Sequence, residues 1–293
     1  MVDDVSDASP DFFDATSWRL RWTRVVSYRT SFSRTTTMPK RKLTMSDEGG
    51  PGAKYARKGK STNDDDVVER INALSIEAFR KRYVPMDQLI YRPQTPGEAQ
   101  EQGTPLDNDA DATGDFRIVL RSAQELKPDE LSQCFALIEQ TSKQDYEASS
   151  WGWHPKRKLR EMRDPEMRYL LVSRNGDSSS IGDRVEGFLS FMITHDSHPP
   201  VPVLYIYEIH LVESLRKVGL GAHLMQLAED IARRVGLRKA MLTCFLSNLK
   251  ARRFYEKRGF IRDVCSPDDR QTRKRVVAVD YIIMSKAVEI ALP

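Results

Sequence analysis

One stretch of the 293-residue chain concentrates residues able to do chemistry. Tyr205-Ile206-Tyr207-Glu208-Ile209-His210-Leu211 reads as a strand, and Arg216-Lys217-Val218-Gly219-Leu220-Gly221-Ala222 follows with its glycines where a helix begins. The first turn of a helix carries backbone N–H groups without intrahelical partners and the positive end of the helix dipole, which together suit a phosphate. Gly219 and Gly221 lack side chains that would keep a diphosphate off those N–H groups, and Arg216 adds a cation beside them. Taken alone, the glycine pair fits a packing requirement as well. It is not the Rossmann fingerprint, which needs a third glycine and a later acidic residue, nor a Walker loop, which needs Gly-Lys-Ser/Thr. Glu208 stands mid-strand, where a core strand normally places an apolar residue. Such a carboxylate is either a proton acceptor or a structural group paired with a nearby cation.

The surrounding pattern predicts the elements that must hold these groups. Phe116–Leu120 reads as a strand, and Pro128 opens a helix carrying Leu131, Phe135, Ile138 and Tyr146. Residues 155–162 predict a short, strongly charged helix, Tyr169–Val172 a strand, and Asn175-Gly176 a turn. Val185–Thr194 and Val203–Val212 are the longest strands. A helix over Gly219–Val235 bears an apolar stripe and ends at Gly236. Lys239–Phe245 is a strand, Leu249–Arg258 a helix, and Phe260–Val264 and Val276–Ser285 are two last strands joined by a charged loop. The order β-α-α-β-β-β-α-β-α-β-β describes one α/β domain with a mixed central sheet over 116–293.

N-terminal to it, 1–62 reads as a disordered basic and polar tail. Its cluster from Lys54 to Lys60 fits a nuclear-import signal or a solvated tail, and Met38 is an alternative start. Residues 63–85 predict one accessory amphipathic helix, and 86–115 an acidic, structureless linker. The chain has 46 Lys and Arg against 42 Asp and Glu, a net charge of +4, which is too small an excess to argue for direct nucleic-acid binding. No apolar run approaches the ~18 residues of a membrane span, so no membrane association is expected. The acidic start argues against a secretory leader, and three cysteines without a CxxC pair fit a reducing compartment.

Arg216-x-x-Gly219-x-Gly221 in this strand order resembles the diphosphate loop of the GNAT acetyltransferases, and the resemblance spans 116–285. It implies a GNAT acyltransferase fold with acetyl-coenzyme A between two splayed parallel strands, here Val203–Val212 and Lys239–Phe245. It also implies cofactor contacts from Ile209, His210, Leu211, Arg216, Lys217, Val218, Gly219, Leu220, Gly221, Ala222 and Asn248. Tyr146-Glu147-x-x-Ser150-Trp151-Gly152-Trp153, Tyr205-x-Tyr207-Glu208, Leu242-Thr243-x-Phe245-x-x-Asn248 and Asp280-Tyr281 further resemble the NatD family. That family consists of N-alpha-acetyltransferases acting on histones that begin Ser-Gly-Arg-Gly.

The resemblance implies direct transfer to a free α-amine, with histone N-terminal tails as partners, no auxiliary subunit, and a monomer in nucleus and cytoplasm. Glu208 becomes the general base, directly or through a water, helped by Tyr207, which a strand bulge would bring to the same side. Tyr255 is either a general acid near the cofactor sulfur or a core tyrosine. Tyr146, Trp151 and Tyr281 wall the peptide pocket or serve as packing anchors, and Tyr205 either lines it or packs in the core. Thr243 bonds the substrate terminus, while Asn248 caps its helix, bonds the cofactor, or both. The family carries acidic residues before the Tyr-x-Tyr-Glu strand, a role that falls here to Asp196. His195-Asp196-Ser197-His198 lacks further ligands at suitable spacing, so no metal is expected, and Cys244 has no ordered histidine partner to make it a nucleophile. A lysine side-chain acetyltransferase and an inactive coenzyme A-binding module are the rival readings.

Overall fold

The computed structural model describes residues 67–93, 114–174, 184–196, 200–271 and 276–289. The tail 1–62, Met38, the acidic run 107–111, the Asn175-Gly176 turn and Arg273–Arg275 lie outside the described residues.

Eight strands form one sheet in the order β1-β2-β3-β4-β5-β6-β10-β7. They are β1 (Ile90–Tyr91), β2 (Phe116–Ser122), β3 (Arg168–Arg174), β4 (Gly187–Asp196), β5 (Val201–Leu211), β6 (Lys239–Phe245), β7 (Ile261–Arg262) and β10 (Tyr281–Ala287). Every neighbouring pair is antiparallel except β5 and β6. Two-residue strands β8 (Arg270–Gln271) and β9 (Val276–Val277) pair separately. The helices are α1 (Val67–Asn72), α2 (Ile76–Tyr83), α3 (Pro128–Glu147), α4 (Pro155–Met162), α5 (Leu220–Val235) and α6 (Leu249–Lys257). From β2 onward this is the expected GNAT order, with β1 and the β8–β9 pair added.

Central strands are continuously apolar because helices cover both faces. Successive residues point to opposite sides, so Leu189, Phe191 and Ile193 of β4 join one core cluster with Leu224, Leu227 and Ile231 of α5. Phe188 and Met192 of the same strand join the other cluster with Cys134, Leu137 and Ile138 of α3. Gly236 closes α5 with φ 93°, and its N–H and that of Leu237 both return to the Ala232 carbonyl.

Three expectations are corrected. The accessory helix is two helices, because Ser75 caps α2 by accepting from the Ala78 N–H at 3.2 Å and so breaks the helix after Asn72. The mixed three- and four-residue spacing came from two short periods. Residues 86–93 are not linker: a 3-10 turn at Met86–Gln88 leads into β1, whose two residues pair with Phe116 and Arg117. A strand so short carries no readable period. Lastly, Val276–Ser285 divides into β9 and β10, and Phe260–Val264 contracts to β7.

Arg168 of β3 pins the accessory helices to the core. Its guanidinium donates to Asn72 Oδ1 at 3.1 Å and to the Ile71 carbonyl at 3.4 Å, and lies 4.5 Å from the Phe79 ring centroid. The second bond adds a charged donor to the Ile71 carbonyl at the end of α1, which also accepts from the Leu74 N–H at 3.3 Å. Arg168→Met is expected to cost about 1–3 kcal/mol. That corresponds to about 2–4 °C per kcal/mol in a thermal melt of a domain this size. An unchanged melting temperature would contradict the anchoring role.

Candidate active site

β5 and β6 pair in parallel only at Leu204↔Ala240, Tyr205↔Met241 and Ile206↔Leu242. Across β4, Ile206 pairs with Phe191 and Glu208 with Ser190, so Tyr207 is the extra residue of a β-bulge. A bulge bends its strand and raises the local twist. Beyond it β5 leaves β6, and a cavity of about 800 Å³ opens between them. The edge of Ile209–Leu211 that faces the gap has no strand partner among the described residues and is open to an extended ligand, except that the Leu211 carbonyl accepts from Arg216 Nε at 3.3 Å.

At one end of the cavity lies the entrance to α5. Gly219 adopts φ 88° and precedes the helix, while Gly221 and Ala222 form its first turn; all three line the cavity with Arg216, Lys217 and Lys250. A methyl group on Gly221 would meet Leu211 and Phe254 at ordinary contact distances of 3.6 and 3.7 Å. Packing therefore does not demand that glycine. Gly219 differs: besides its positive φ, a Cβ there would collide with the Tyr91 hydroxyl.

At the other end stands Glu208, 11% exposed at its side chain. Its Oε1 accepts from Lys158 Nζ at 2.7 Å and from the Tyr146 hydroxyl at 3.0 Å, and its Oε2 from His210 Nε2 at 2.7 Å. Lys158, 7% exposed, also donates to Glu161 at 2.6 Å and sits 4.9 Å from the Tyr146 ring centroid. His210 Nδ1 lies 2.5 Å from Thr141 Oγ1, which reaches the Leu137 carbonyl at 2.7 Å. The hydroxyl has one proton: donated to Leu137, it leaves both imidazole nitrogens as donors; donated to Nδ1, it leaves the ring neutral. Burial alone would raise the Glu208 carboxyl, but Lys158 and the His210 hydrogen bond outweigh it and hold the group well below the usual carboxylate range. Glu208 is thus a fixed anion with a hydrogen-bonded setting. It is a poor direct proton acceptor and a good anchor for an ammonium or a water.

Aromatic rings also line the cavity. Tyr146 and Trp151 both meet Phe245 edge-on, at 4.9 and 5.7 Å between centroids. Asp280 holds the Trp151 loop against β10 by accepting from the Ser150 N–H and hydroxyl. Tyr205 and Thr243 share a hydroxyl contact of 2.5 Å, and the Tyr205 and Tyr207 rings lie 5.3 Å apart. Burial keeps Tyr255, on α6, protonated far beyond neutral pH. Asn248 caps α6 through the Ala251 N–H at 3.0 Å, and its amide donates to Asp145 at 3.0 Å, so the capping role is realised.

Four expected site residues lie outside the lining. Asp196 is buried and paired with Lys239 at 2.7 Å, and Lys239 also holds Asp263 at 2.6 Å. Its carboxylate is consumed by structure, away from the cavity. That ammonium also accounts for the grouping of Asp196, Asp263 and Cys265, whose donor atoms lie within 4.8 Å of one another. Leu220 is wholly buried in the core, so only its backbone remains for a ligand. Val218 turns its carbonyl to Tyr91, and Tyr281 stands behind Trp151 at 5.3 Å between centroids. Conversely, Thr141, Asp145, Lys158 and Glu161 line the cavity without belonging to any motif legible in the sequence. The i,i+3 placement of Lys158 and Glu161 on a charged helix was the one available hint.

Residues 129–260 match the family described as "Acetyltransferase (GNAT) family", and the domain that contains them has the GNAT fold. "N-alpha-acetyltransferase 40" of Saccharomyces cerevisiae is 32% identical over 126 residues, 38% of this chain and 42% of that protein. The similarity thus spans less than half of that relative. Among solved structures, the ribosomal-protein-S18-alanine N-acetyltransferase of Escherichia coli is 18% identical, covering 60% of this chain and 96% of its own, with a TM-score of 0.40. NAA60 of Arabidopsis thaliana, solved with a bisubstrate analogue, is 15% identical over 59% of this chain and 99% of its own, with a TM-score of 0.42.

Proposed function

We propose that the protein moves an acetyl group from acetyl-coenzyme A to the free N-terminal amine of a peptide, and that histone tails beginning Ser-Gly-Arg-Gly are its substrates. One observation carries the reading: a bulge-opened cavity joins a phosphate-suited helix entrance at one end to a cation-anchored carboxylate at the other. The yeast relative, an N-alpha-acetyltransferase by name, supports the same choice.

The residues present fit the cofactor. Gly219, Gly221 and Ala222 offer helix-entrance N–H groups, Arg216 and Lys217 add positive charge, and the open edge at Ile209–Leu211 suits an amide-bearing arm. Acetyl-coenzyme A, when bound, supplies a thioester-activated acetyl group. The chain's own work lies at the amine. An α-ammonium, with a pKa near ~8, must shed a proton before it can attack. Glu208 holds and orients that amine, and the proton leaves to solvent through a water hydrogen-bonded to the Glu208 carboxylate. Tyr255, kept protonated by burial, is the donor at the far side. Carboxylates of Asp145, Glu161 and Glu208 in the lining favour a basic peptide. A histone substrate would place this work in the nucleus and cytoplasm.

Mass spectrometry after incubation with acetyl-coenzyme A tests the reading. A free Ser-Gly-Arg-Gly peptide is expected to gain one acetyl group at its terminus, whereas an N-blocked, lysine-bearing version stays unmodified. Acetylation of the blocked peptide alone would establish the lysine-directed rival. No acetylation of any amine would overturn the transfer reading and support a binding module.

A further inference from the structure

We infer that Tyr91, on the short strand β1, is a positioning residue for the cofactor loop: its hydroxyl sets the peptide plane that aims the Gly219 N–H into the cavity. This rests on the acetyl-coenzyme A reading of the site.

The Tyr91 hydroxyl donates to the Val218 carbonyl at 2.6 Å. In a trans peptide the C=O and the following N–H point in opposite directions. A Val218 carbonyl tied to Tyr91 therefore directs the Gly219 N–H away from it, and Gly219 lines the cavity. The loop needs such a constraint. Lys217 and Gly219, on either side of Val218, both have positive φ, 69° and 88°. The left-handed conformation is unfavourable for lysine, so the loop has other states open to it once the hydrogen bond is gone.

Tyr91 is itself held from two sides. Its backbone pairs with Phe116 at the sheet edge, and its ring packs tilted by 39° against His223 of α5 at 4.8 Å between centroids. His223 Nε2 lies 2.7 Å from the Gln88 carbonyl, and the Gln88 amide donates to Asp230 at 2.8 Å. Residues 88–91 thus form a brace along α5 from Asp230 to His223, ending on the loop that begins that helix. The same contact explains Gly219, since the space a side chain would need is filled by the Tyr91 hydroxyl.

Tyr91→Phe keeps the ring and removes only the bond. By calorimetric titration with acetyl-coenzyme A, its Kd is expected to rise about 3- to 10-fold, as for loss of one hydrogen bond. The KM for acetyl-coenzyme A should rise in step, while kcat and the KM for peptide stay within about twofold. Arg168→Met, destabilised at a distance from the loop, is expected to bind acetyl-coenzyme A like the unaltered protein, which separates loop positioning from general loosening. Equal cofactor affinity in Tyr91→Phe and the unaltered protein would overturn the brace, as would a fall in kcat alone. Failure of the unaltered protein to bind acetyl-coenzyme A would instead sink the cofactor reading, and the brace with it.

Discussion

Lys158→Met is expected to give a folded but weakened protein whose response to acid is reversed. Lys158, itself buried, is the cation shared by two partly buried carboxylates, Glu161 and Glu208, 18% and 11% exposed at their side chains. Removing one partner of a buried ion pair leaves uncompensated charge and typically costs about 3–5 kcal/mol at neutral pH. In the unaltered protein Glu208 is held below the usual carboxylate range. Its contribution to stability is therefore complete above the unfolded pKa of about 4.3 and is lost as the pH falls below it. Without Lys158, only the His210 hydrogen bond still opposes burial at Glu208, so that carboxyl rises, folding takes up protons and stability grows as the pH falls toward 5. Urea midpoints at pH 5 and pH 8 decide the matter. The unaltered protein should show nearly equal values, and the variant a clearly higher midpoint at pH 5. Equal midpoints in the variant would show that Glu208 does not depend on Lys158. Lys158→Arg, which keeps the charge, should recover most of the loss at pH 8.

The second large effect is at Glu208 itself. Glu208→Gln preserves size and removes the anion that Lys158, His210 and Tyr146 all address. The amide can accept at one position only, so the incoming amine loses its anchor and the proton its route. We expect kcat to fall about 10²- to 10⁴-fold. The Kd for acetyl-coenzyme A should stay within about twofold, because the diphosphate end of the cavity is not touched by Glu208. A variant that turns over nearly as well as the unaltered protein would reduce Glu208 to a structural carboxylate. Because the residue is a poor direct base as found, an activity profile still rising between pH 6 and 8 belongs to the substrate amine, with its pKa near ~8, rather than to Glu208.

The sequence by itself determined the order of elements along the chain from β2 to α6, the α5 stripe, the glycine-bearing helix entrance and the place of Glu208 mid-strand. These are legible because periodicity and capping residues report what a segment's near neighbours require. The bulge at Tyr207 was anticipated only through the family resemblance, since register depends on the facing strand. Tertiary structure alone decided the partners of the charged groups. Lys158 meets Glu208 across 50 positions of sequence, Lys239 meets Asp196 across 43, and Tyr91 meets Val218 across 127. A lysine on a charged helix reads as solvated surface until another element buries it, and an aspartate reads as available until a cation claims it. Coulombic and hydrogen-bond partnerships are set by distance in space, which local residue pattern does not encode.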